Sequence, residues 1–113
     1  MARSKRRQFV LLGPPPAGGS PQAPEATPLG SLRSVRETLA AFNTSSDGSP
    51  SEGATERLYG PGMSVELSLG TDPVMQAIAS VNDEPTAWPV LSRLCQTHHW
   101  RLMDIESGRI MSW

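Results

Sequence analysis

"GPGMSVELSLGTDPVMQAIASV", residues 60–81, decides how this chain is read. Met63, Val65, Leu67 and Leu69 alternate with Ser64, Glu66 and Ser68. That period of two belongs to a strand with one buried and one wet face. The segment after it is ambiguous. Asp72 and Pro73 suit the opening of a helix that carries Val74, Ala77, Ile78 and Val81 on one side. Alternatively, Gly70–Pro73 is a hairpin loop and residues 74–82 return as a strand. A helix would leave the first strand without a sequence neighbour, and adjacent elements usually pack together, so the strand is preferred.

Working outward toward the C-terminus, "NDEPTAWPVLSRLCQTHHW" reads as a helix. Asp83 or Thr86 caps it, and Asp83 and Glu84 suit its positive end. Pro85 and Pro89 are tolerable near the first turn, where amide protons lack helical partners. Trp88, Leu91, Leu94, Cys95 and His98 then share a broad face. The closing "RLMDIESGRIMSW" predicts a hairpin turning at Glu106–Arg109. Residues 63–113 are therefore expected to form a small antiparallel α+β domain, strand-strand-helix-strand-strand, with one covering helix. Met103 and Ile105 alternate with Leu102 and Asp104, so the third strand is apolar on both sides and its second face calls for a cover.

Upstream the composition changes. Residues 1–62 hold eight of the eleven prolines and eight of the ten glycines, whereas all three tryptophans fall in 63–113. Such a bias buries too little apolar surface to offset the entropy of ordering a chain. The N-terminal half is accordingly expected to be mostly disordered: a Pro/Gly-rich tail over 1–30, a short amphipathic helix over 31–43, and a linker over 44–62. Leu32, Val35, Leu39 and Phe42 form the stripe of that helix, Ser31 caps it or Ser34 with Glu37 forms a capping box, and Asn43, with Gly48 beyond it, stops it. About three turns are marginal alone, so the stripe needs its own domain or a partner to pack on. Its own domain is the preferred reading.

"FVLLGPPPAGGS", residues 9–20, imitates a phosphate-binding loop, but Gly19 stands where the lysine belongs. The prolines in "SPQAPEATP" prohibit a helix opening at the loop. The stretch reads as a spacer, with a PxxP ligand role for 14–24 as the sharper alternative. Phe9–Leu12 is also too short for the apolar core of a secretory signal.

Chemistry-bearing residues are sparse. Cys95, His98 and His99, with Asp104 or Glu106, fall short of the paired spacings of a zinc site. Cys95 lies mid-helix, away from the terminus that would activate a thiol. Asp83, Glu84, Asp104 and Glu106 have sufficient roles in helix capping and turns. Trp88, Trp100 and Trp113 read mainly as core mass, with Trp113 the exception at a chain end. No catalytic residue, cofactor, nucleotide or metal is assigned. One cysteine excludes an internal disulfide and suits a reducing, cytoplasmic setting. No segment has the length of a membrane span.

Gly60-Pro61-Gly62, Trp88–Leu91, Trp100, Leu102, Asp104 and Glu106–Arg109 resemble a group of small bacterial proteins with a GPG-strand opening, a WPVL-type helix and a W-x-L-x-D-x-E-S-G-R tail. The resemblance covers about the last 55 residues. It implies the hairpin-then-helix order and carries no activity or functional residue across.

The expected function is that of a small non-enzymatic protein working through protein contact, either self-association or adaptor-like binding. Leu32, Val35, Leu39, Phe42 and Trp113 are its candidate surface. Two alternatives are a nucleic-acid-associated factor tethered by the basic cluster Arg3–Arg7, and a Cys/His metal-dependent enzyme. A net charge of −1 weighs against a dedicated nucleic-acid binder.

Overall fold

The computed structural model describes residues 7–15, 27–46, 48 and 53–111. In chain order the elements are β1 (Arg7–Leu12), α1 (Leu32–Ala41), β2 (Thr55–Gly60), β3 (Met63–Ser68), β4 (Gln76–Val81), α2 (Glu84–His98), β5 (Arg101–Asp104) and β6 (Ile110–Met111). The strands form one six-stranded sheet in the order β2-β3-β4-β1-β5-β6. Every neighbouring pair is antiparallel.

This overturns the expected strand-strand-helix-strand-strand fold with one covering helix and a mostly disordered N-terminal half. That half supplies β1, α1 and β2, so the described residues form six strands and two helices. The correction is largest at β1. Phe9–Leu12 belongs to a central strand, paired with β4 through Phe9↔Ala79 and Leu11↔Ala77 and with β5 through Leu11↔Leu102. A continuous apolar run of about four to eight residues suits a buried strand, and Phe9, Val10 and Leu11 are all buried. Compositional averaging over the surrounding prolines and glycines hides it, because its partners lie about 65–95 positions further along.

The supposed linker over 44–62 contains β2, and Gly60-Pro61-Gly62 is the turn of a β2–β3 hairpin instead of the start of a domain. Gly62 takes φ 66, and a Cβ there would lie 2.6 Å from the Asp83 carbonyl oxygen. The close approach has a purpose: the Gly62 carbonyl accepts the backbone N–H groups of Asn82 and Asp83 at 2.9 and 3.1 Å. The hairpin turn thereby fixes where α2 begins. Residues 76–81 are strand, pairing with β3 through Val65↔Ala79 and Glu66↔Ile78.

Both helices lie on the same face. Strand alternation and register place Val65, Ala79, Phe9, Leu11 and Leu102 on one side of the sheet, and these residues share one buried cluster with Val35 and Leu39 of α1 and Ala87, Leu91 and Leu94 of α2. Ser31 caps α1, its hydroxyl accepting the Ser34 N–H at 3.1 Å. Asn43 ends it at φ 61, and the Thr44 N–H returns to the Leu39 carbonyl at 2.9 Å. Arg36 then ties α1 to β2 through Glu56 at 2.7 Å. In α2 the Asp83 side chain makes no cap hydrogen bond to the backbone; its carboxylate instead accepts the Thr86 hydroxyl at 2.8 Å. Pro85 falls in the first turn and Pro89 sits exposed within the helix.

Candidate interaction face

The residues singled out from the sequence do not come together as a site. Val35 and Leu39 are fully buried in the core, with Leu32 and Phe42 packed against it. The α1 stripe is thus occupied by the protein's own sheet and is not offered to a partner. Trp113 lies outside the described residues, as do Arg3–Arg6 and the 16–26 portion of the Pro/Gly-rich stretch. β1 is antiparallel to both neighbours, whereas a phosphate loop follows a strand of a parallel sheet. Gly13 serves close packing instead: a Cβ there would run into the Thr27 and Pro28 carbonyls, and the Thr27 hydroxyl donates to the Pro14 carbonyl.

Cys95 is buried in the core, and burial pushes its thiol up to about 12. A thiolate nucleophile or ligand is therefore disfavoured there at neutral pH. The His98 ring packs between Phe42 and Trp100, with centroids 6.2 and 5.6 Å away, and exposed His99 takes the left-handed conformation that ends α2. Among the described residues no group of three or more His, Cys, Asp or Glu lies close enough to hold a metal ion.

The acids have other employment. Arg7 donates to Glu84 at 2.6 Å and to Asp104 at 2.7 Å, and its guanidinium lies 4.9 Å from the Phe9 ring centroid. The hydrogen bond from Arg7 holds the Asp104 carboxyl below its ordinary range. Trp88 meets Phe9 at 5.8 Å between centroids. Arg7 consequently belongs to the fold, joining β1, the start of α2 and the end of β5, where its neighbours in sequence suggested a free basic tether.

The helix-free side of the sheet is the second face that the sequence pointed to, but its residues were not legible there. Register builds a row straight across it, perpendicular to the strands: Arg57↔Glu66, Glu66↔Ile78, Ile78↔Val10, Val10↔Met103 and Met103↔Ile110. Its Arg57–Glu66 end is an ion pair at 2.9 Å. The other four positions are apolar and belong to four adjacent strands. Val10 at the centre is 7% exposed, while Ile78, Met103 and Ile110 are half-buried. A polar row runs alongside through Tyr59↔Ser64, Ser64↔Ser80 and Ser80↔Gln8, with the Gln8 amide donating to the Ser80 hydroxyl at 3.3 Å. Among the described residues, Tyr59 and Ile105, each 43% exposed, are the large apolar side chains most open to solvent.

The local signal for this surface was Met103 on a strand apolar on both sides. Assembling the row required knowing that Val10 lies between Ile78 and Met103. Searches of protein-family models, curated proteins and solved structures found no match to the chain.

Proposed function

We propose that the protein is a non-enzymatic binding module that contacts its partner through the helix-free sheet face. The observation carrying this reading is the in-register row Ile78–Val10–Met103–Ile110, which neither helix covers. Apolar side chains aligned across four strands, bordered by hydroxyls and amides, give a surface with a dry centre and a hydrogen-bonding margin, the general anatomy of protein interfaces. The α1 stripe is not used, because it is already packed. The absence of catalytic assignments is supported by Cys95 being held as a buried thiol and by Glu84 and Asp104 being engaged with Arg7. The nucleic-acid alternative has less support, since Arg7 is neutralised within the fold by those two acids. A cytoplasmic setting is part of the proposal, supported by a single buried cysteine. Among the described residues no helix is long and apolar enough to cross a membrane.

The test uses the full chain and its Ile78→Glu variant as baits, matched by circular dichroism, in a cell extract supplemented with untagged protein. A protein retained by the first bait and lost by the second is the expected result. Equal retention, or none by either bait, refutes the use of this face.

A further inference from the structure

We infer that the occupant of this face is a second copy of the same chain, stacked sheet on sheet; this rests on the reading of the face as the binding surface. The charge pattern favours a self-contact. Of the charged residues that strand alternation places on this side, Arg57 and Glu66 neutralise one another, and Arg101 is fully buried at the far end with its Nε donating to the Gly13 carbonyl at 2.9 Å. Two copies therefore meet without like-charge repulsion, and no partner of opposite sign is called for.

The sheet edges offer a poorer route. In the β2–β3 hairpin the backbone groups of Tyr59 face outward, and Ser45 already takes both of them, at 2.7 and 3.1 Å. Beyond Tyr59 the edge carries the charged Arg57, a common guard against strand addition. The opposite edge, β6, is two residues long. Association through added strands is disfavoured at both ends of the sheet, which leaves the face.

Size sets the expected strength. Six strands span five spacings of about 4.8 Å, and a six-residue strand is about 20 Å long. The face thus offers at most about 500 Å² per copy, or about 1,000 Å² for a pair, in the range of weak, transient interfaces. Stacked sheets keep their strands within about 30° of one another. The apolar rows of two copies then cross near Val10, with Ile78 and Met103 of each copy around the crossing. The dimer should be reversible, dissociating at roughly micromolar concentrations or above.

Sedimentation equilibrium of the full chain from low micromolar to millimolar concentration tests this. The expected result is a mass rising from 12.2 kDa toward its double. Ile78→Glu and Ile110→Glu should each weaken association at least tenfold, with far-ultraviolet circular dichroism unchanged. Ile110 lies on the short edge strand, so its variant decides the matter if Ile78→Glu does not fold. Arg33→Glu, on the outer side of α1 at 90% side-chain exposure, should leave the dimer intact. A chain that stays monomeric to millimolar concentration overturns the inference, as does a dimer indifferent to both face variants. A monomeric chain whose bait still retains a different protein, lost on Ile78→Glu, refutes the second copy and leaves the binding reading standing.

Discussion

Replacing Phe9 by Ala tests the placement of β1 most directly. Phe9 is fully buried, sits on the strand at the middle of the sheet and packs its ring against Trp88 at 5.8 Å. Truncation removes the ring's transfer free energy and leaves a cavity that neighbouring strands cannot fill by collapsing. Such Phe→Ala changes cost about 3–5 kcal/mol, a range that already includes lost aromatic contacts. Domains of this size are stable by about 5–15 kcal/mol, so a large share of the total is at stake. With a urea dependence of about 1.5 kcal/mol per molar, the unfolding midpoint should fall by about 2–3 M. Urea titration followed by tryptophan fluorescence is the natural assay, because Trp88 itself lines the altered site. In a solvated tail the same substitution would change stability by no more than about 0.5 kcal/mol. A shift that small would refute the central position of β1 and return the N-terminal segment to the role of a spacer.

Three further outcomes follow from local geometry. Gly62→Ala should destabilise by about 1–3 kcal/mol in the same titration, because φ 66 and a Cβ 2.6 Å from the Asp83 carbonyl both oppose a side chain; a neutral result would refute the contact between the hairpin turn and α2. Asp104→Asn should lower stability at neutral pH and converge with the parent chain in acid: the Asp104 carboxyl is depressed in the fold by the Arg7 hydrogen bond, so its contribution is present above the ordinary carboxylate range and is lost as pH falls through the depressed value. Thermal midpoints of both proteins from pH 7 to pH 2 check the sign, and parallel curves would refute it. Cys95 should resist aromatic disulfide reagents until urea unfolds the chain, and stability should decline as pH rises above about 9, since its folded thiol lies near 12 and the unfolded thiol ionises earlier; rapid labelling of the native protein would refute its burial.

Local chemistry was written plainly in several segments. The alternation of Met63, Val65 and Leu67, the Ser31 cap and Asn43 stop of α1, and the apolar face of α2 each depend on residues within a turn or two of one another. Their physical causes, side-chain period and capping geometry, are visible in a short window. Phe9–Leu12 and Leu58 are different. Phe9 becomes core only through Ala79 and Trp88, and Leu58 only through Val65, so neither is identified by its immediate neighbours. Arg7 is a similar case: beside Lys5 and Arg6 it reads as a solvated charge, and Glu84 and Asp104 alone make it a clamp.

By itself, the sequence determined part of the local repertoire: the β3 alternation, the apolar stripes of both helices, and that one isolated cysteine and two adjacent histidines make a poor metal set. Tertiary structure decided membership and sidedness. Closing a long loop costs an entropy that grows only logarithmically with its length, so the Pro- and Gly-rich chain between Leu12 and Leu29 is a modest obstacle to recruiting β1 into the sheet centre. Burial of Phe9, Val10 and Leu11 against strands far along the chain offsets that cost. The same long-range register aligns Ile78, Val10, Met103 and Ile110, while both helices cover the opposite side. No window of sequence contains that row, because its members become neighbours only when the sheet is assembled.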